Sequence, residues 1–213
     1  MNVDDFEKYV RLMAECFEDD PGIKAQLKGI SNADDVLMRQ YRCQLEPFFR
    51  LGCVETYGDA EGMAFGFFTD ELFIKQLSES MNESAARLME SISPENLVLM
   101  QQNVSAVIDV AQPDWYKKYT GEREVYVLQA IMVSKALRGT GVFRKLMTPI
   151  LDKAESKRVP VVLQTFESEH VAKYEHFGFQ MMEKTVSEKS DLVCFNLMFG
   201  KEMLNNSGVE PHA

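Results

Sequence analysis

The sequence predicts an α/β sandwich, on three observations. Two strongly apolar runs, Val125–Val133 and Val159–Phe166, bracket an amphipathic stretch at Gly141–Arg158, which is the layout of one βαβ unit. Long helical patterns precede it, interrupted by a single hairpin signal. The chain has 213 residues, 46% of them hydrophobic and 26% charged, a balance that excludes disordered and collagen-like chains. A chain of that length buries about 70% of its unfolded surface, so it needs no disulfide or metal to hold it.

The elements follow in order. Phe6, Val10, Met13 and Phe17 recur at helical spacing, and Asp19-Asp20-Pro21-Gly22 reads as the end of that helix. A second helix runs from about Asp34 to Leu51, with Gly52 as its stop and Pro47 distorting its last turn. Cys53–Tyr57 and Met63–Phe68 flank a Gly-bounded turn and predict a β-hairpin. Helices are expected over Glu71–Met89 and Pro94–Val110, the second opened by Ser93-Pro94-Glu95. After the βαβ unit come a short helix at Glu169–Phe177, a strand fed by Gly178-Phe179, and a last strand at Leu192–Phe199. The tail from Asn205 reads as disordered.

Composition narrows the function. The four cysteines, Cys16, Cys43, Cys53 and Cys194, are scattered without metal spacing and read as free thiols. The acidic start, Asp4-Asp5, is unlike a secretory leader, and no apolar run approaches the ~18 residues of a membrane span. A cytoplasmic protein with no metal is the expectation. A net charge of −10 argues against nucleic acid and anionic membranes as partners. The segment Lys135–Arg158 nevertheless carries +5, leaving −15 elsewhere. On charge alone this is a solvated basic helix face; it also suits one anionic ligand.

The segment with chemistry in it is Val133-Ser134-Lys135-Ala136-Leu137-Arg138-Gly139-Thr140-Gly141-Val142-Phe143. A strand ends, a turn holds two glycines, and a helix begins at once. Such a turn aims several backbone N–H groups at one point, and the helix terminus adds about half a positive charge there. Arg138 and Arg144 are expected to reach the same point, making a pyrophosphate cradle. The Lys-Ser/Thr ending of a nucleoside-triphosphate loop and the third glycine of a dinucleotide fingerprint are missing.

Arg138-Gly139-Thr140-Gly141, followed by Leu146-Met147, resembles the acetyl-CoA motif of the GCN5-related N-acetyltransferase superfamily. Thr165–Phe179 is similar to that family's second block. Leu146-Met147-Thr148-Pro149, Pro160-Val161-Val162-Leu163 and Phe17-Glu18-Asp19-Asp20-Pro21 resemble the puromycin N-acetyltransferase-like branch. Three positions depart from the pattern: Phe143 replaces a small residue, His170 an asparagine, and Gln164 an acid. The Phe143 ring is expected to point into the core.

The resemblance implies an acyl-CoA N-acyltransferase fold, a mixed twisted sheet with helices on both faces. It implies one domain over residues 1–204, with residues 1–123 on the acceptor side and 124–204 binding acetyl-CoA. The backbone of Ile131, Met132 and Val133 would hold the pantetheine arm, and Arg138, Gly139, Thr140, Gly141, Val142, Phe143, Arg144 and His170 the rest of the cosubstrate. Tyr174 falls where the family places a general acid, and a phenol suits a thiolate leaving group. The base is left open. Positions 127 and 129, read as sharing one face, hold Val127 and Gln129. Gln129 cannot accept a proton but can hold the amine or a water. Glu124, Glu167 and His170 are the nearest alternatives.

The expected partners are acetyl-CoA and a small amine, with neither nucleic acid nor membrane; a homodimer stays open. The expected reaction is direct acetyl transfer in a ternary complex. The alternative is a non-catalytic acyl-CoA-binding or regulatory domain, which the absence of a base at 127 and 129 keeps in play. Phe65-Gly66-Phe67-Phe68 and Trp115-Tyr116 read most simply as packing, and otherwise as pocket walls.

Overall fold

A computed structural model describes residues 3–188 and 190–204. The chain runs α1 (Val3–Phe17), α2 (Pro21–Gln26), α3 (Ala33–Arg50), β1 (Val54–Tyr57), β2 (Gly62–Phe68), α4 (Glu71–Ser91), α5 (Pro94–Ile108) and α6 (Lys117–Thr120). It continues with β3 (Tyr126–Val133), α7 (Val142–Lys157), β4 (Val161–Thr165), α8 (Ser168–Glu175), β5 (Gln180–Val186) and β6 (Val193–Phe199). Single 3₁₀ turns follow β3 and β6. The expected tail lies outside the described residues.

The six strands form one mixed sheet in the order β1-β2-β3-β4-β6-β5. β3 and β4 are its parallel pair, joined through α7 as the hydrophobic runs predicted. One face is covered by α7, whose Leu146, Met147, Ile150 and Ala154 pack with Leu128, Val161, Leu163 and Leu197, and by α8 through Val171 and Tyr174. The other face carries α1 and α3, with Val10, Met13, Tyr41 and Leu45 over Met63, Phe65 and Met132. Trp115 and Tyr116 are buried on Val125, Val162 and Met198. They are packing, as the simpler reading had it.

Two short helices are additions to the expected elements. Asp19-Asp20-Pro21-Gly22 does end α1, but the same residues start α2: the Asp20 carboxylate accepts the Ile23 N–H at 2.9 Å and Pro21 occupies the first turn. Residues 117–120 make one turn, α6, beside Trp115. Pro149 lies on the exposed side of α7, which runs unbroken to Lys157. The Lys145 carbonyl it leaves without a donor therefore faces water.

β2 and β3 leave no room for a side chain at Gly66. A Cβ there would lie 2.8 Å from the Tyr126 ring and hydroxyl, and closer still to the Val127 carbonyl oxygen. Gly66→Ala should therefore push the two central strands apart. We expect a loss of about 1–3 kcal/mol, read as a lower urea midpoint at unchanged slope.

Candidate active site

β3 and β4 pair only at their starts, Tyr126 with Val161 and Val127 with Val162. β2 holds one edge of β3 along its whole length, whereas the other edge leaves β4 after Val127. The sheet thus splits towards the C-terminal ends of its parallel strands. In open α/β sheets that is the end where ligands bind.

A β-bulge sits where the split begins. Phe65 pairs with Ala130 and the adjacent Gly66 with Leu128, leaving Gln129 as the extra residue. The bulge inverts the alternation of β3. Before it, Tyr126 and Leu128 face α7; after it, Ile131 and Val133 do, while Ala130 and Met132 face α1 and α3. Positions 127 and 129 therefore do not form the simple same-face pair expected from a regular strand. Val127 packs into the Trp115 cluster, and Gln129 is exposed at the start of the split.

Beyond Val133 the chain makes the double-glycine turn. Gly139 and Gly141 have φ of +82° and +88°, values an L side chain resists, and a Cβ at either would project into open space. Gly141 is the N-cap of α7, and no side chain caps that helix. Its first-turn N–H groups have no intrahelical acceptors and face the open side of the turn. Gly62 allows α7 to seat there: a Cβ on it would lie 3.0 Å from Val142 and 3.1 Å from Leu146. An anion fits this cradle by backbone geometry alone.

The arginines behave differently from one another. Arg138 is exposed beside the turn, close enough to Cys16 and His170 to influence both. Arg144 is turned away from the point expected for it. Its guanidinium lies 2.9 Å from His176 Nε2 and 5.1 Å from the centre of the Phe177 ring, so its side chain is engaged on the turn that ends α8 while its backbone stays in the first turn of α7. Lys145, Lys153 and Lys157 line the outer face of α7, the first over Tyr57 and the other two over Phe68, whereas Lys135, in the 3₁₀ turn before the helix, binds Glu18 at 2.7 Å. That is the solvated basic face, with the cradle at one end of it.

Phe143 points into the core. Its ring packs on Tyr174 and Phe177 at centroid distances of 6.0 and 5.5 Å, leaving the cradle clear. Tyr174 is further held by Phe179 at 5.7 Å. Burial, and then the nearby Glu167 charge, push its phenol well above the usual tyrosine range. It is therefore a protonated donor at neutral pH. His170 Nε2 lies 3.0 Å from Glu167 Oε2. Burial first, then Lys173, hold this imidazole below its ordinary value against the opposing pull of Glu167.

The split thus brings together the end of β3, the glycine turn, Arg138, Glu167, His170 and Tyr174. Glu124 precedes β3, at the end where β3 and β4 are still paired, and lies away from this group. Two neighbours were not legible as site residues. Cys16 on α1 donates to the Val133 carbonyl at 3.4 Å, and Asp20 comes close to Glu167. Among the described residues no cluster of three or more His, Cys, Asp or Glu could hold a metal, and no helix is long and apolar enough to cross a membrane.

No protein-family model matches the chain, and no curated protein matches it. Solved structures do. A structure described as histone acetyltransferase HPA2 and related acetyltransferase, from Corynebacterium glutamicum, aligns over 93% of this chain and 92% of its own, at 16% identity and a TM-score of 0.60. A mosquito arylalkylamine N-acetyltransferase like 5b aligns over 92% and 95%, at 15% identity and a TM-score of 0.57. An agmatine N-acetyltransferase mutant in its apo form aligns over 93% and 95%, at 10% identity and a TM-score of 0.52. This chain has the acetyltransferase fold that the two sequence motifs implied.

Proposed function

We propose that this chain is an acetyl-CoA-dependent N-acetyltransferase that acetylates the amine of a small molecule by direct attack in a ternary complex. The observation that carries the reading is the split between β3 and β4, flanked by an uncapped double-glycine helix terminus whose first turn packs on Tyr174 through Phe143. The backbone of Gly139, Gly141, Val142, Phe143 and Arg144 would hold the pyrophosphate, with Arg138 beside it. The free edge of Ile131, Met132 and Val133 would hold the pantetheine arm, and His170 would border it. The cosubstrate supplies a thioester, whose carbonyl is the electrophile and whose sulfur is the leaving group.

The chain's own residues then have three tasks. Backbone donors along β3 polarise the carbonyl as it gains negative charge. Tyr174 delivers a proton to the departing sulfur. Gln129, exposed at the bulge, orients the incoming amine by hydrogen bonding. No covalent enzyme intermediate is needed, since the nitrogen attacks directly.

Thermal unfolding with and without ligand tests the cosubstrate. A ligand present at a hundredfold its dissociation constant stabilises the native state by about 2.7 kcal/mol. CoA should raise Tm by several degrees, and NAD, ATP and GTP much less. A larger response to NAD than to CoA would overturn the reading.

A further inference from the structure

The cations of this chain are not all placed alike. Over residues 1–120 most of them are neutralised in ion pairs, among them Lys8 with Asp59 at 2.6 Å, Arg42 with Glu7 at 2.6 Å and Arg50 with Glu83 at 2.8 Å. The lysines of α7 differ. Lys145, Lys153 and Lys157 are exposed, and among the described residues no carboxylate forms an ion pair with any of them. Aromatic rings of β1 and β2 hold them in place instead. Lys145 donates to the Tyr57 hydroxyl at 3.1 Å, and Lys153 and Lys157 stand 5.4 and 4.3 Å from the centre of the Phe68 ring. The last two are one helical turn apart, so like charges repel across a shared ring and neither has a protein carboxylate to offset it.

This stripe starts at the cradle. Lys145 lies one turn into α7 from Gly141, and Arg138 and Arg144 are exposed at the turn itself. From Lys145 to Lys157 the helix rises ~18 Å. Asp152 and Glu155 are exposed on the same helix, and the chain outside Lys135–Arg158 carries −15. A uniform polyanion such as nucleic acid is therefore repelled all round the stripe. A protein helix is not, because it can set acids against the lysines and its own cations against Asp152 and Glu155. The charge pattern selects an acidic protein, laid lengthwise on α7 with one end at the cradle.

We propose that α7 docks an acidic carrier protein, whose serine-linked phosphopantetheine thioester enters the split as an acyl donor beside acetyl-CoA. This rests on the acyl-transfer reading and adds a second source for its donor. The arm of such a carrier has the same pantetheine and thioester as CoA, so the edge of Ile131, Met132 and Val133 serves both. Its phosphodiester brings one negative charge to the cradle where a pyrophosphate brings two. The carboxylates of the carrier, set on Lys145, Lys153 and Lys157, offset that difference. The reaction balances as it does with CoA. The amine lone pair forms the N–C bond to the acyl carbon, and the C–S bond breaks with its electrons on sulfur. Tyr174 protonates that sulfur, the proton shed by nitrogen restores the phenol, and the free thiol leaves attached to the carrier.

The test compares two donors on the full chain: acetyl-CoA, and an acetyl-charged acyl carrier protein of fatty-acid synthesis, each with an amine that the chain acetylates. The carrier should serve as donor, with a KM that rises more steeply with ionic strength than that of acetyl-CoA. Lys153→Glu combined with Lys157→Glu reverses two exposed charges and should raise the carrier KM at least tenfold, leaving the acetyl-CoA KM and the CoA-induced Tm shift at wild-type values. Lys153→Gln combined with Lys157→Gln removes the charges without reversing them and should give a smaller rise, which guards against a folding defect in the first variant. Acetylation from acetyl-CoA but not from the carrier, or a carrier KM unchanged in both variants, overturns the inference while acyl transfer stands. If neither donor acetylates any amine, fluorescence anisotropy of labelled carrier protein decides. Absent binding, binding that the Glu variant retains, or tighter binding of a DNA duplex at the same ionic strength overturns the inference, whereas absent CoA binding overturns the acyl-transfer reading beneath it.

Discussion

Gly141→Asp is expected to abolish CoA binding in a chain that stays folded. Two effects of the substitution oppose each other in the free protein. An L residue at φ +88° is strained by about 1–2 kcal/mol. An aspartate at an N-cap accepts a first-turn N–H and sits favourably at the helix dipole, which is typically worth about 1 kcal/mol. The fold should therefore tolerate it, the more so because a Cβ at this position meets open space. The ligand meets a different surface. The new carboxylate occupies the N–H groups that the pyrophosphate requires and repels its charge. We expect CoA affinity to fall by more than about a hundredfold, equivalent to ~2.7 kcal/mol. Gly141→Ala carries the strain without the charge and should lose far less. Calorimetric titration of both variants separates the two effects, and undiminished CoA affinity in folded Gly141→Asp would remove the cradle from the account.

Tyr174→Phe should lower turnover by about 10²–10⁴-fold, the usual range for one general acid. The ring keeps its contacts with Phe143 and Phe179, so packing is preserved and only the proton is lost. CoA affinity should barely move, because the phenol acts on charge that develops only in the transition state. The raised pKa has a defined consequence for pH dependence. A group protonated throughout the physiological range imposes no alkaline fall in kcat until well above pH 10, so any basic limb nearer neutrality belongs to another residue. Full activity in the Phe variant would assign sulfur protonation to solvent, and Glu167 and His170 would be the next positions to change.

The central βαβ unit and its glycine turn were legible because local pattern and global role coincide there. The apolar runs make buried strands, and two glycines between a strand and a helix admit few backbone shapes. The inward turn of Phe143 was legible for the same reason, since it shares a helix face with Leu146 and Met147. The bulge at Gln129 was not. It depends on the partner strand, where Gly66 lets the backbones crowd. α2 was hidden because Asp20-Pro21 is equally a helix end and a helix start, and six residues carry no periodicity. Arg144 shows the limit of proximity in sequence. Its backbone lies in the first turn of α7, but a long side chain follows its partners, and those are His176 and Phe177. Asp20 and Glu167 are 147 positions apart, and only the seating of Gly22 on Phe166 brings them together.

The most direct measurement of the central claim is release of free thiol from acetyl-CoA by the purified chain across a panel of amines, with the products identified by mass spectrometry. The account predicts thiol release that requires both the amine and the enzyme, one N-acetylated product per thiol, and its loss in Gly141→Asp. Tight CoA binding with no amine acetylated across a broad panel would contradict it, and would make the chain an acyl-CoA-binding domain instead of an enzyme.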